Sequence, residues 1–158
     1  MLSELLGMSE GILRDLHEDH EAVSDLIERI LRADTAEHRT SLFKELMPKL
    51  LVHAHAEQNV LYKKIEKSAD GETRRFGFSG TNEHQIVEKQ LQQLSRARNK
   101  ASEQWTAQMS VLSELVKHHV NEEEATGFTC ARREFDREEL VKLGEQFRRQ
   151  KEKLMAEA

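Results

Sequence analysis

Residues 50–65 read Leu50-Leu51-Val52-His53-Ala54-His55-Ala56-Glu57-Gln58-Asn59-Val60-Leu61-Tyr62-Lys63-Lys64-Ile65. With Leu46, the residues Leu50, Val60, Leu61 and Ile65 form one apolar face of a helix, and His53 and Glu57 share that face. Side chains four apart on a helix lie about 5–6 Å apart at Cβ, so this imidazole and carboxylate aim at one point in the interior. The same pair recurs as His119 and Glu123, at the end of a stripe through Trp105, Met109, Leu112 and Val116. Five residues beyond each glutamate comes an aromatic, Tyr62 and Phe128, so the second and fourth helices look pseudo-equivalent.

Working outward, Leu13, Leu16, Val23, Ile27 and Ile30 mark a first helix from Glu10 to Leu31, with His20 inside its stripe. Asp34 and Glu37 have the spacing of a capping box and predict a second helix from about Thr35 to about Lys67. Pro48 falls inside it, removing a backbone donor, and predicts a kink or 3₁₀ turn near Lys44. The glycines Gly71, Gly77 and Gly80 suggest a long connection from Ser68 to Gly80. A third helix then starts near Thr81 and shows His84, Val87, Leu91 and Leu94 on one side. Ser102 caps a fourth helix that Gly127 ends. Asp136 with Glu139 forms a further capping box, and Phe135 with Leu140 a staple, for a C-terminal helix carrying Leu140, Leu143, Phe147 and Leu154. The expectation is an all-α bundle of four helices plus one, a single domain with core helices over about 10–126 and the additional helix over about 136–156.

Composition agrees and excludes several classes. One proline, seven glycines, 34% charged and 5% aromatic residues leave room for long solvated helices in 158 residues. With a net charge of -5 and basic residues interleaved with acidic ones, no basic face stands out to grip nucleic acid. No apolar run is long enough to cross a bilayer, and Met1-Leu2-Ser3-Glu4 has neither a basic start nor an apolar stretch after it. Cys130 is alone, which excludes an internal disulfide and fits a reducing compartment. The protein is therefore expected to be cytoplasmic, away from membranes and nucleic acid, as a monomer or homodimer.

Eight histidines are many for this length, and their register separates them. His20, His53, His84 and His119 lie on apolar stripes, with Glu57 and Glu123 beside two of them. A single such histidine is more often a satisfied core residue than a ligand. Six together differ, because burying four imidazoles and two carboxylates without a cation carries a heavy desolvation cost. Four nitrogens and two carboxylates match the inventory of a dinuclear metal site held between helices. His55 and His118 point away from the stripes, and His38 sits in the first turn of helix two, remote from the rest. His17, three residues before His20, is left as an extra ligand, an outer partner of a ligand, or a residue of an access channel.

The ordered segments Asp19-His20-Glu21-Ala22-Val23, His53 to Tyr62, Glu83-His84 and His119-Val120-Asn121-Glu122-Glu123-Glu124 resemble the hemerythrin-like HHE cation-binding proteins, over about Ile12 to Phe128. The resemblance implies an up-down four-helix bundle with a non-haem di-iron centre on His20, His53, Glu57, His84, His119 and Glu123. Two iron ions would be bridged by the two glutamates and by an oxo or hydroxo group. Oxygen-carrying members place a second histidine one turn away on helix three. Here Gly80 and Glu88 stand four residues either side of His84, which counts against simple oxygen carriage and leaves a coordination position open unless Glu88 or His17 fills it. Two carboxylates are also fewer than the four of ferritin-like di-iron enzymes, so strong C–H oxidation is not expected. The functional expectation is a protein that binds or turns over small oxidants such as peroxide, O₂ or nitric oxide, with catalase-like dismutation as one form. A module that senses iron or oxygen through its C-terminal helix is the alternative.

Overall fold

The computed structural model describes residues 11–158, so the readings that rest on Met1 to Glu4 and on Glu10 lie outside the described residues. No described residue is in a strand. Helix α1 spans Gly11–Arg32 and α2 spans Ala36–Glu57, continuing through a π-helical turn, Gln58–Tyr62, into Lys63–Ile65. Helix α3 spans Gly71–Arg96. Helix α4 spans Glu103–Glu122 and continues through a second π turn, Glu123–Gly127, into Phe128–Glu134, while α5 spans Arg137–Glu157. Helices α1 and α3 each pack on both α2 and α4, and α5 lies along α1 and α2. The short links between α1 and α4 make successive helices antiparallel, as in an up-down bundle.

Several ends follow from the expected caps. Ser102 accepts from the Trp105 N–H, and Asp136 and Glu139 complete a capping box at the start of α5. At α2 the cap is Thr35, accepting from the His38 N–H, rather than Asp34. Pro48 sits in unbroken α-helix, with no 3₁₀ turn near Lys44. Leu46 and Leu50 on either side of it are buried and hold the helix to the core across the missing donor.

The expected long connection is instead the first ten residues of α3, capped by Asp70 on the Thr73 N–H. Its glycines are there for close packing. A Cβ on Gly80 would lie 2.5 Å from Cε2 of Tyr62, and one on Gly77 2.9 Å from Cγ1 of Ile65, so the α2 side chains themselves occupy those sites. Gly127, expected to stop α4, likewise lies within it, where a Cβ would meet the Phe76 ring at 2.5 Å.

Two apolar clusters divide the interior. One gathers Val23, Ile27, Ile30, Leu46, Leu91, Trp105 and Met109 among others, and the second Ile12, Leu16, Leu61, Tyr62, Phe128, Leu143 and Phe147. Every core helix passes from one cluster to the other, and at each crossing stands a histidine: His20 on α1, His53 on α2, His84 on α3 and His119 on α4. The polar groups thus form a slab across the middle of an apolar bundle. Helix α5 adds Leu140, Leu143 and Phe147 only to the second cluster. The far end is closed by two buried cations. The Lys100 ammonium donates to the carbonyls of Leu94, Ser95 and Ala97, and the Arg39 guanidinium to those of Ala33 and Lys100. Both cations also stand over the Trp105 ring.

Candidate metal centre

All six expected residues are buried and converge on the slab. Glu57 Oε1 lies 3.5 Å from His53 Nε2 and 3.3 Å from His84 Nε2. Glu123 mirrors it, at 3.1 Å from His20 Nε2 and 3.7 Å from His119 Nε2. Two groups have the separations a metal ion needs: His20, His53 and Glu123 in one, Glu57, His84 and His119 in the other. Each glutamate therefore stands between a histidine of one group and a histidine of the other.

The imidazoles are oriented from behind. Nδ1 of His20 meets Glu124 at 2.7 Å, Nδ1 of His53 meets Asp19 at 2.8 Å, Nδ1 of His84 meets the Gln58 amide oxygen at 3.1 Å, and Nδ1 of His119 meets Glu83 at 3.1 Å. An acceptor at Nδ1 places the proton there and turns the Nε2 lone pair inward, which is the tautomer a metal-binding histidine uses. These partners form a closed circuit. Asp19 of α1 supports the histidine of α2, Gln58 of α2 that of α3, Glu83 of α3 that of α4, and Glu124 of α4 that of α1.

Without a cation this arrangement is unsatisfied. His20 Nε2, both oxygens of Glu57 and Oε1 of Glu123 are buried with no hydrogen-bond partner among the described residues. Nε2 of His84 and Nε2 of His119 face each other at 3.1 Å, two lone pairs once Nδ1 carries each proton. Unpaired buried carboxylates are among the costliest groups in a protein. Protons stand in for the missing charge. Burial alone would push the His20 imidazolium down, but the Glu123 and Glu124 carboxylates outweigh it and hold the group at about 10. His53 behaves alike, pulled down by burial and lifted to about 9 by Asp19 and Glu57. Burial raises Glu57, yet His53 and His84 hold its carboxyl well below the ordinary range. The donor set thus fits a pair of cations, and demands positive charge in their absence.

Tyr62 is fully buried and donates its O–H to Glu123, with Oη 3.3 Å from His119 Nε2 and its ring 5.1 Å from that of His84. Burial and the two nearby carboxylates raise the phenol far above its usual range, so it stays a proton donor. The π turns place it. In a regular helix residues five apart are about 140° apart around the axis. The wider turn, in which the Lys63 N–H reaches back five residues to Gln58, swings Tyr62 round toward the face of Glu57. The second turn is closed the same way, from the Phe128 N–H to Glu123. Sequence patterning missed both turns, although the repeated glutamate-to-aromatic spacing was their trace.

The remaining histidines lie outside the cage. His17, partly exposed, meets the other oxygen of Glu124 at 2.9 Å, so it touches the support of His20 rather than a cage residue itself. His55 pairs with Glu88 at 3.3 Å away from the centre, and neither Glu88 nor His17 enters the two groups. His118 and His38 are exposed. The four outer acceptors were not assigned a role from the sequence, but each is the immediate neighbour of a cage residue along the chain.

Residues 11–131 match the hemerythrin HHE cation-binding domain. The chain belongs to that family. A DNA nickase of Nostoc sp. (strain PCC 7120 / SAG 25.82 / UTEX 2576) is 23% identical over 137 residues, which are 86% of this chain and 38% of that protein. The chain thus spans under two fifths of that relative's length. No solved structure matches. Among the described residues, no helix is long and apolar enough to cross a membrane. Helix α5, Arg137–Glu157, lies beyond the family segment.

Proposed function

We propose that this hemerythrin-family chain holds two iron ions, one on His20, His53 and Glu123 and the other on Glu57, His84 and His119, and uses them to bind or turn over a small oxidant. The observation that carries the reading is the convergence of four inward Nε2 atoms on the Glu57 and Glu123 carboxylates, three of whose four oxygens have no hydrogen-bond partner among the described residues. Two histidines and one carboxylate in each group form the ligand set on which non-haem iron keeps open positions. When bound, the iron pair supplies Lewis acidity and redox equivalents toward a small oxygen or nitrogen ligand.

The protein's own residues limit what can reach it. A cavity of about 30 Å³ touches all four histidines and is otherwise walled by Val23, Leu50, Ala54, Val87, Val116 and Val120. It admits something of the size of water, a diatomic or peroxide, and its apolar walls give a larger or charged substrate no partner. A second cavity of about 230 Å³ between α1 and α4 shares His20, Val116 and Val120 with it and opens past Ser24, Lys117 and Asn121, giving a polar approach from solvent. Tyr62 holds a proton at Oη beside Glu123 and His119, where a reduced oxygen species would need one.

The test is metal analysis followed by turnover. The protein as isolated should contain two irons per chain and, once loaded, consume peroxide at a rate that His84→Ala abolishes. Stoichiometric loading without turnover, accompanied by a ligand-dependent change in oligomeric state, would replace the enzyme with a sensor. The activity named for the Nostoc relative is not carried over, because the chain spans only 38% of that protein at 23% identity and its net charge of -5 does not favour binding to a phosphate backbone. Loaded protein should leave supercoiled plasmid intact in the absence of peroxide and reductant.

A further inference from the structure

Resting on the metal-site reading above, we propose that α5 belongs to the metal centre: Lys151 and Phe147 are positioning residues that set the orientation and donor strength of His53 through Asp19. Of the four acceptors behind the histidines, Asp19 alone is held, among the described residues, by a residue from outside the four core helices. The Lys151 ammonium lies 2.7 and 2.9 Å from its two carboxylate oxygens. Asp19 in turn accepts from His53 Nδ1 at 2.8 Å. One turn back on the same face of α5, the fully buried Phe147 meets the His53 ring edge-on, 5.8 Å between centroids at 85°. The same Lys151 ammonium stands 4.9 Å over the Phe147 ring, so the two α5 residues form one unit against one imidazole.

The physical consequence has two parts. Asp19 is the proton acceptor for His53 Nδ1, and a carboxylate there makes Nε2 more electron-rich. A cation on that carboxylate fixes its rotamer and withdraws part of its charge, so Lys151 sets how strongly Asp19 acts. Phe147 restricts the imidazole to the tilt that aims Nε2 at Glu57. Because α5 lies beyond the family segment, the chain adds this adjustment to one histidine of the four.

Arg148, the next residue after Phe147, provides the control. It pairs with Asp15 on α1 at 2.5 Å, another α5-to-α1 ion pair, but one that reaches no cage residue. The experiment titrates iron(II) anaerobically, and cobalt(II) as a spectroscopic probe, into metal-free wild type, Lys151→Met, Lys151→Arg and Arg148→Met. Urea melts of the same metal-free samples report folding. Lys151→Met frees the Asp19 carboxylate to rotate, and this loss of orientation outweighs the charge it returns to His53. One of the two binding events should therefore weaken, by less than the roughly 10- to 100-fold of losing a ligand's own outer partner, and the cobalt absorption bands should shift. Lys151→Arg should restore both. Arg148→Met should lose comparable stability while leaving affinity and bands at wild-type values. Equal weakening in Arg148→Met and Lys151→Met would overturn the proposal, since α5 would then act only by general stability. So would a Lys151→Met variant that loads like wild type. Wild-type protein that takes up no metal would overturn this proposal together with the metal-site reading, which separates the two failures.

Discussion

Gly80→Ala places a single methyl against the residue that closes the cage. The new Cβ would lie 2.5 Å from Cε2, 2.6 Å from Cζ and 2.8 Å from Oη of Tyr62, against ordinary contacts of about 3.5 Å or more. Tyr62 cannot yield freely, because its ring packs edge-on against Phe76 at 6.2 Å and, tilted by 30°, against His84 at 5.1 Å. Overpacking of this kind costs about 1–3 kcal/mol. Displacing the ring by about 1 Å also breaks the phenol's bond to the Glu123 carboxylate, a further loss of about 1.5–3 kcal/mol. Replacing a helical glycine returns about 1 kcal/mol of propensity, so a net destabilisation of about 1.5–5 kcal/mol is expected. Urea unfolding of the metal-free protein, followed by circular dichroism, measures it. In a Tyr62→Leu background the ring is gone, and Gly80→Ala should become neutral or stabilise by up to about 1 kcal/mol. In a Tyr62→Phe background the ring clash persists, and most of the overpacking cost should remain. A Gly80→Ala protein as stable as wild type in the Tyr62 background, with unchanged slope, would show that the glycine is not there for the tyrosine.

The shared position of each glutamate between the two histidine groups predicts that Glu57→Gln weakens the uptake of both ions in an anaerobic iron(II) titration, rather than of one ion selectively. Two ions retained at wild-type affinity would refute the shared position. Metal-free stability should fall across about pH 6.5 to 10. His20 and His53 titrate at about 10 and about 9 when folded but at 6.5 when unfolded, so their contribution is full below 6.5 and lost as pH rises. Metal competes with those same protons, and the gap in Tm between loaded and metal-free protein should widen over that window. A gap that stays constant would mean that other groups carry the charge. Pro48→Ala restores a helix donor within unbroken α2 and should raise Tm, with a gain of about 1–3 kcal/mol in urea melts. A loss would show that the proline's ring packing matters more than the donor.

The converging residues were legible in the sequence because the histidine-glutamate pairs four apart restrict both residue type and spacing. His53 with Glu57 and His119 with Glu123 need one helix each to be recognised, and His20 and His84 need only the register of their apolar stripes. What stayed hidden was set by tertiary contact. Gly77 and Gly80 read as a loop because the side chains that fill their missing Cβ positions, Ile65 and Tyr62, belong to another helix. The first turns of α3 accordingly lack an apolar period, and the helix starts at Gly71, ten residues before the expected start near Thr81. A π turn alters which carbonyl each N–H reaches without requiring any particular residue, so only the echoed aromatic hinted at it. Arg39 and Lys100 were given no role from the sequence, and they are buried against the carbonyls they satisfy at the end of the bundle.

The circuit of outer partners explains why the converging residues of this chain and their supports fall in short contiguous segments. Asp19-His20, Glu57-Gln58, Glu83-His84 and Glu123-Glu124 each join a cage ligand to a neighbour that supports a histidine on the next helix. Adjacent residues on a helix point about 100° apart, so when one faces the centre its neighbour faces the adjoining helix. A four-helix square turns by 90° from one helix to the next, close to that angle. One dipeptide per helix can therefore supply both a ligand and the orientation of the next ligand, and four such dipeptides close on themselves. The geometry also makes the helices interdependent, because displacing any one removes a ligand and frees the imidazole of its neighbour. Three of the four acceptors are carboxylates and the fourth is the Gln58 amide, so His84 has the weakest support. The histidine with the least support belongs to α3, the helix where oxygen carriers place a second one.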